Sequence, residues 1–427
     1  MNSPAQASPR DATPAMSALG PDHADRRLRR RYAAERRFRA LGLAAILFSG
    51  AMLCFLLFDM AANGINGFKR AELTVEMDFT TGVLQVDPAQ LEGPESEGLL
   101  EGAGLKDMVS LAAVRTAGEI AGAELADTAW REVGRKIAAD PGMLNRKVAL
   151  SVPVSDDLAA AVRGDGDPVL RKEAARLAAE GKLHRAWDWG FLARGDATSP
   201  QEVGIWGALK GSILTMLVTL ALAFPIGVLS AVYLEEYAPR NRWTDMIEVS
   251  INNLAAVPSI IFGLLGLAVF LWLFPNWRSA PLIGGMTLAL MTMPVIVISG
   301  RNAIKAVPPS IRDAALGIGA SRIQVVFHHV LPLALPGILT GTIIGMARAL
   351  GETAPLLMIG MRAFVASPPD GLTSPSSVLP VQIFLWSDEI DRGFVERTSA
   401  AIIVLLLFLL AMNSLAIYLR NRFENRW

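Results

Sequence analysis

The chain has 427 residues, 52% of them hydrophobic, and its 40 basic and 40 acidic side chains cancel to a formal net charge of +0. This apolar fraction is above that of ordinary soluble domains and argues against a purely water-soluble protein. The only cysteine, Cys54, excludes an intramolecular disulfide and a cysteine-based metal site. The composition therefore indicates an integral membrane protein.

Six apolar stretches approach the length that a helix needs to cross a bilayer, which is about 20 residues. They lie at about 40–60, 209–234, 250–274, 281–300, 333–360 and 398–419. The sequence therefore predicts an all-α polytopic membrane protein with six transmembrane helices.

Residues 1–39 open with a segment rich in Pro, Ser and Ala and end in a cluster of arginines directly before the first span. We predict a basic tail that is largely disordered and, by the positive-inside rule, cytoplasmic. The apolar run 40–60 is long and no convincing small-residue cleavage site follows it, so it is interpreted as a retained anchor and not as a signal peptide. Six spans from a cytoplasmic start place 61–200 outside and both the loop 301–332 and the C-terminus inside.

The region 61–200 has the patterning of a folded domain. Apolar and polar residues alternate over 73–79 and 148–154, as in half-buried strands, and 105–139 and 156–181 have helical composition. The prediction is an inserted small α/β extracytoplasmic domain. Because acidic residues outnumber basic ones in it, we expect a structural or docking element and not the binding site of an anion.

Aromatic residues precede the second span. The stretch 183–201 contains Trp187, Trp189 and Phe191, which predicts an approach to that span along the membrane interface.

The third span contains Pro258 and Gly263, which predict a broken or kinked helix. Ser259 could hydrogen-bond the carbonyl groups that such a break liberates. A kink of this kind either lines a pathway or serves only packing, and the sequence leaves both open.

The fifth span carries two charges, Arg348 and Glu352, four residues apart and hence on one helix face. A charge at membrane depth costs about 2.5–3.5 kcal/mol even on the lenient insertion scale, so both should point toward each other or toward water. The alternative is a structural ion pair. Gly341 and Gly345 in the same span predict a close-packed helix face.

The loop 310–332 is too polar for a bilayer. Ser310 with Asp313 resembles a capping box, Ala314 and Ala315 have minimal side chains, Gly319 allows a sharp bend, Ser321 can cap a second helix, and Pro332 should end the loop. The pattern predicts two small helices with a smooth surface that could dock into a cleft on another protein. The alternative is a plain connector.

Motifs for chemistry are missing from the sequence. No Gly-x-x-x-x-Gly-Lys-Ser/Thr segment occurs, so ATP is not bound through a P-loop. The four histidines, His23, His184, His328 and His329, have no second ligand at metal spacing, and there is no Ser/His/Asp grouping or basic-aromatic interleaving. We expect no enzyme, no metal site and no nucleic-acid partner, with any ATP hydrolysis in a partner subunit.

The loop is similar to a known element. Asp313-Ala-Ala-x-x-x-Gly319 followed by Val330-Leu-Pro332 resembles the EAA loop of ABC-importer permeases, in which two short cytoplasmic helices dock into the ATPase subunit. Asp313 stands where that family usually has Glu and keeps the charge, whereas His329 stands where it usually has Ile or Val.

Motifs outside the loop look like those of PstA-type phosphate permeases, over about 183–427. They are Tyr233-Leu-Glu-Glu-Tyr-Ala-Pro, Val257-Pro-Ser-Ile-Ile-Phe-Gly, Ala347-Arg-Ala-Leu-Gly-Glu-Thr-Ala-Pro-Leu-Leu and Leu379-Pro-Val-Gln-Ile-Phe. The resemblance implies an ABC-importer type I permease fold at 201–427, in the bacterial inner membrane, with both termini cytoplasmic. The first span and the extracytoplasmic domain look like the extended forms of this permease.

The resemblance also implies partners. These are a PstC-type permease subunit, a PstB-type ATPase dimer and a periplasmic phosphate-binding protein that delivers phosphate. ATP and Mg belong to the ATPase, and no cofactor is bound by this chain. Two alternatives stay open: a permease for another oxyanion such as sulfate or molybdate and, less favoured because the chain has no cytoplasmic output domain, a membrane receptor.

The predicted site residues follow from the charged span and from the matched motifs. Substrate binding and translocation are assigned to Arg348, Glu352, Thr353 and Ser259, and ATPase coupling to Asp313, Ala314, Ala315, Gly319 and Pro332. A guanidinium fork at Arg348 suits the oxygens of phosphate. Glu352 would neutralise Arg348 in an empty path, or accept the proton that phosphate carries and sulfate lacks.

Overall fold

The computed structural model describes residues 21–81, 84, 86, 96–361 and 364–423. The chain divides into two compact units, Met1–Asp59 and Met60–Trp427. Each is described by itself below.

The described part of the first unit is helical. Helix α1 runs over Pro21–Gly67, its last residues belong to the second unit, and it contains a candidate span at Arg31–Gly67. The prediction of a largely disordered tail is therefore wrong for 21–39, a run rich in Ala, Arg and Leu, which are strong helix formers. Residues 1–20 lie outside the described part. Cys54 is exposed, like the apolar side chains around it, as expected of a helix that faces lipid.

A three-stranded antiparallel sheet forms the base of the inserted domain, which is the part of the second unit at 61–200. Strands β1 (Lys69–Asp78), β2 (Lys147–Pro153) and β3 (Leu183–Trp187) lie in the order β2-β1-β3. The alternation at 73–79 is confirmed, because Leu73, Val75 and Met77 are fully buried. The sequence did not predict strand β3, because its five residues show no apolar alternation. The strand forms through long-range pairing with β1, in which Lys69 lies opposite Trp187.

Six helices complete the described part of the inserted domain. They are α2 (Ser96–Gly102), α3 (Leu105–Ala117), α4 (Glu119–Gly122), α5 (Ala129–Ala139), α6 (Asp156–Val162) and α7 (Pro168–Ala179). Leu105, Val133 and Leu158 from three of them join Leu73 in one hydrophobic core. The predicted small α/β domain is confirmed.

Long apolar helices make up the rest of the second unit. These are α8 (Trp206–Tyr237), the bent pair α9 (Arg242–Ala255) and α10 (Ser259–Leu273), α11 (Pro281–Lys305), α13 (Arg322–Gly351) and α16 (Gly393–Phe423). Three shorter helices lie between them: α12 (Pro309–Gly317), α14 (Ala354–Met358) and α15 (Leu379–Ser387). Among the described residues five helices are long and apolar enough to span a membrane, or six if the bent pair is one span.

Two predicted spans differ from a straight helix. In the third, α9 and α10 meet at 103°, with Pro258 in the break, so the predicted broken helix is confirmed. The fifth was expected at 333–360, but its helix begins at Arg322 and ends at Gly351. Pro332 therefore lies within the helix, in the first α-helical turn after a π-helical turn at Val325–Val330, and does not end the loop.

Glycines allow close packing of α13 on α11. A Cβ at Gly341 would overlap the Ser299 side chain, and one at Gly345 would lie 2.9 Å from Thr292. The predicted close-packed face of the fifth span is confirmed.

Candidate functional site

The helix that carries Arg348 ends one residue before Glu352. Helix α13 stops at Gly351, Glu352 is extended with a ψ of 114°, and α14 starts anew at Ala354 with Pro355 in its first turn. Proline lacks the N–H that would continue the helical hydrogen bonds, and glycine loosens the preceding turn. The two charges therefore lie at a helix break.

Arg348 and Glu352 form the predicted pair, but a loose one. Arg348 Nε lies 3.4 Å from Glu352 Oε1, and the two side chains are 51% and 19% exposed. The same face of α13 exposes Ile344 and Gly351, whereas Ala349 and Leu350 on the other face are buried among the helices of this chain. An exposed charged face on a candidate span must be covered by water or by another protein chain.

The broken third span packs against the residues that follow Glu352. A Cβ on Gly263 of α10 would lie 2.6 Å from Pro355 Cα, so α10 and α14 are in direct backbone contact. Ser259 is the first residue of α10, and Thr353 directly precedes α14; both are half-buried. Two helix breaks, at Pro258 and at Glu352, thus lie on helices that touch.

The loop between α11 and α13 forms the two predicted helices with a different start. Helix α12 begins at Pro309 after Pro308, and Ser310 lies inside its first turn, so the predicted capping box of Ser310 and Asp313 is wrong. A capping box forms instead at the next helix, where the Ser321 hydroxyl accepts from Gln324 N and the Gln324 side chain accepts from Ser321 N at 2.9 Å. Gly319 has a φ of +90°, which confirms the predicted bend.

The surface of this loop differs from the predicted one. Asp313, Ala314 and Gly319 are exposed, but Ala315 is buried in an apolar cluster that α12 shares with the long helices α8, α11 and α13. Leu316, Ile318 and Ile323 are exposed instead, with Ile318 at 83%. We call these three residues the apolar loop surface. The sequence shows these apolar residues on both sides of Gly319, in a segment predicted to lie outside the bilayer.

Ion pairs connect this loop to the long helices. Arg312 of α12 donates to Glu236 at the end of α8, with distances of 2.7 and 3.1 Å, and to the carbonyl oxygens of Ile304 and Val307. The neighbouring Glu235 pairs with Arg301 of α11 at 3.2 Å. The loop is therefore tied to α8 and α11, a connection that sequence reasoning missed.

A second charged cluster joins the inserted domain to the long helices. Arg397, in the first turns of α16, is buried and donates to Asp188 Oδ2 at 3.1 Å and to the carbonyl oxygens of Gly67 and Pro200 at 2.7 Å each. Asp188 also accepts from Arg194 at 2.6 Å. Arg397 lies directly before the predicted span 398–419, and no sequence pattern predicted this junction.

Guanidinium groups set the charge state of two carboxylates, Asp188 at this junction and Glu132 of α5, which pairs with Arg70. Burial alone would raise the pKa of Glu132, but the hydrogen bonds and charge of Arg70, with help from Arg194, hold that pKa below its usual value. Burial likewise opposes ionisation of Asp188, and the charges of Arg194, Arg397 and Arg70 outweigh it, so its pKa is also lowered. Both carboxylates are therefore ionised at neutral pH.

No group of three or more His, Cys, Asp or Glu side chains that could hold a metal ion occurs in the described ranges. The charged groups at the second helix break are the guanidinium of Arg348 and the carboxylate of Glu352.

Comparison with known proteins gives two matches to family models. Residues 205–427 match the model described as binding-protein-dependent transport system inner membrane component. Residues 25–172 match a domain of unknown function, DUF3333.

Individual relatives carry related descriptions. A probable ABC transporter permease protein, YqgI, of Bacillus subtilis is 36% identical over 172 residues, which are 40% of this chain and 55% of the relative. The phosphate transport system permease protein PstA of Yersinia pestis is 31% identical over 50% of this chain and 71% of its own length. PstA of Haemophilus influenzae is 30% identical over 53% and 78%, respectively.

The chain spans about half the length of the first of these relatives. The match at 205–427 includes both helix breaks, the loop with its apolar surface, and Arg397. The chain therefore belongs to the family of inner-membrane components of binding-protein-dependent transport systems.

Proposed function

We propose that the chain is the transmembrane permease subunit of an ATP-driven importer for inorganic phosphate. The observation that carries the proposal is the Arg348–Glu352 pair, which lies at a helix break, makes one long contact of 3.4 Å and leaves Arg348 half exposed. The descriptions of the Yersinia and Haemophilus relatives as phosphate permeases support it.

The exposed face of α13 supports a path shared by two subunits. A second permease subunit, of PstC type, covers Ile344, Arg348 and Gly351 and leaves a water-filled path between the chains. Arg348 contacts phosphate there with a planar fork of donors, which matches two oxygens at once. Ser259 and Thr353, at the starts of the touching helices α10 and α14, lie along the same path.

Glu352 has two roles in this path. When the path is empty it neutralises Arg348, and when phosphate arrives it is displaced from Arg348 and accepts a hydrogen bond from the protonated oxygen that phosphate carries at neutral pH. Fully ionised sulfate has no hydrogen to donate to this carboxylate, so the acceptor oxygens of the two groups repel each other. This carboxylate favours phosphate over the second candidate, a permease for sulfate or molybdate.

Coupling to ATP hydrolysis takes place through the loop. The apolar loop surface (Leu316, Ile318 and Ile323) docks into a PstB-type ATPase dimer, and the Arg312–Glu236 pair transmits the movement of α12 to α8. ATP and Mg are held by the ATPase, and a periplasmic phosphate-binding protein delivers substrate on the opposite side. The loop and both chain termini are cytoplasmic.

Uptake competition tests the substrate. Cells that lack other phosphate importers and express the complete complex should take up labelled phosphate, and excess sulfate or molybdate should not compete. Glu352→Gln should let sulfate compete, whereas Glu389→Gln, an exposed carboxylate after α15, should leave selectivity unchanged. Unchanged sulfate rejection in Glu352→Gln would remove the hydrogen-bond-accepting role, and sulfate uptake by the native complex would favour the other oxyanion.

A further inference from the structure

An open cleft of about 390 Å³ lies on the inserted domain. One wall is the face of α5 that carries Glu132, Arg135 and Lys136, which are three and four residues apart and so adjacent on the helix. The other wall is the segment 187–190, which begins with the last residue of β3. The proposed path through the long helices makes no use of this cleft.

The carboxylates in the cleft are already paired within the chain. Glu132 accepts two bonds of 2.6 Å from Arg70, and Asp188 accepts from Arg194 and from the buried Arg397. Of the charged side chains that line the cleft, four are basic and two are acidic. The cleft is therefore positively charged although the inserted domain as a whole is acidic.

Two cations in the cleft keep free donors. Arg135 is 68% exposed, and its nearest carboxylate oxygen, on Glu132, is 3.8 Å away. Lys136 donates to the carbonyl oxygen of Ser151 at 2.7 Å, which occupies one of the three N–H groups of its ammonium. Arg135 and Lys136 can therefore both bind an anion without losing a hydrogen bond to another residue of the chain.

Two tryptophans form the rim of the cleft. Trp187 and Trp189 stack with ring centroids 6.2 Å apart, and both are more than half exposed. Lys69 lies 5.4 Å above the Trp187 ring. Exposed tryptophans beside basic residues are typical of the headgroup level of a membrane.

Hydrogen bonds place the cleft beside the start of a span. Trp206, the first residue of α8, donates through its backbone N–H to the Arg194 carbonyl oxygen at 3.0 Å, and Ile205 donates to Phe191 in the same way at 2.8 Å. The opposite end of α8 carries Glu236, which contacts the coupling loop. The cleft therefore lies at the membrane boundary on the side away from that loop.

We propose that this cleft binds the headgroup of an anionic phospholipid. Arg135 and Lys136 hold the phosphate diester, and the rings of Trp187 and Trp189 lie against the glycerol region. Bound lipid fixes the height of the inserted domain relative to the bilayer. Charge complementarity and continuity with α8 favour a lipid over a free anion, because the cleft opens beside a membrane-spanning helix.

Lipid retention in the purified full complex tests the proposal. The complex is equilibrated with phosphatidylglycerol or with phosphatidylcholine, and lipids still bound are counted by native mass spectrometry. The native complex should retain phosphatidylglycerol over phosphatidylcholine, and the double variant Arg135→Gln, Lys136→Gln should retain less, by about fivefold for each charge removed. Arg171→Gln, Lys172→Gln on α7 removes the same adjacent charges away from the cleft and should retain lipid like the native chain.

Two further arms keep the test decisive. If the double variant misfolds, Arg135→Gln alone leaves the Ser151 bond intact and should still lower retention. Millimolar inorganic phosphate should not displace phosphatidylglycerol. Displacement by inorganic phosphate, equal retention of the two lipids by the native complex, or equal loss in the cleft and α7 variants would each overturn the proposal, and phosphate uptake need not change in any of them.

Discussion

Two charged groups of the second unit, the junction around Arg397 and the Arg348–Glu352 pair, differ in how fully their hydrogen bonds are satisfied. At the junction, the side chains of Arg397 and Asp188 are 3% and 1% exposed. The guanidinium of Arg397 donates hydrogen bonds to one carboxylate and two carbonyl oxygens. On α13, Arg348 makes one long contact and stays half exposed. A charge whose partners are all within the chain maintains the architecture, whereas a charge with unused donors is available to a ligand.

Breaking the satisfied cluster should have the largest effect. Arg397→Met leaves Asp188 buried with fewer partners and should destabilise the chain by about 3–5 kcal/mol. Thermal unfolding of the purified complex in detergent measures this loss. Arg392→Met, an exposed arginine five residues earlier, is the control and should be nearly neutral. An equally stable Arg397→Met chain would show that the junction does not hold the inserted domain.

Breaking the unsatisfied pair should affect transport and leave stability unchanged. Arg348→Gln removes the charged fork and should lower phosphate uptake by about 100-fold, since a hydrogen bond to a charged group contributes up to about 3 kcal/mol. The complex should assemble and unfold at the native temperature. Arg348→Lys keeps the charge and should lose less. Native uptake by Arg348→Gln would exclude this residue from the path.

The same reasoning applies to apolar residues that lack partners within the chain. Ile318→Glu in the apolar loop surface should weaken association with the ATPase by about 10-fold or more, because burying such a side chain contributes about 1.5–3 kcal/mol. Pull-down of the ATPase measures the association. Ile390→Glu, at a fully exposed isoleucine outside the loop, is the matched control. Equal pull-down by both variants would favour a plain connector.

The smallest expected effect is on acid stability. The pKa values of Glu132 and Asp188 are lowered in the folded chain, so their contribution is complete above the ordinary carboxyl pKa of about 4 and is lost as the pH falls through the folded-state values. Melting temperatures between neutral and acidic pH should therefore fall less steeply for Glu132→Gln than for the native chain. Parallel curves would contradict the role assigned to Arg70.

Local sequence patterns were sufficient for much of this architecture. The alternation around Leu73 gave β1, Pro258 gave the broken span, Gly319 gave the bend, and the spacing of Arg348 and Glu352 gave their pairing. Each of these depends on residues that are close in the sequence. The residue types and spacings alone also identified the charges at the second helix break.

Long-range contacts could not be read in the same way. Arg397 contacts Gly67 and Asp188, more than 200 positions earlier, and no local pattern distinguishes it from the exposed Arg392. Burial of Ala315 depends on how α12 folds back on the start of α13. Strand β3 exists because β1 pairs with it, and its own five residues do not predict a strand.

The exposed Cys54 on α1 has a practical consequence for mapping sidedness. It is the chain's single thiol, so Cys54→Ser yields a background in which any introduced cysteine is the sole target of a maleimide. Ile318→Cys and Ile390→Cys, both at exposed positions, would then be labelled from opposite faces of sealed vesicles if the loop is cytoplasmic. The substitution of Cys54 thus allows the sidedness of any chosen residue in this hydrophobic protein to be measured by thiol labelling.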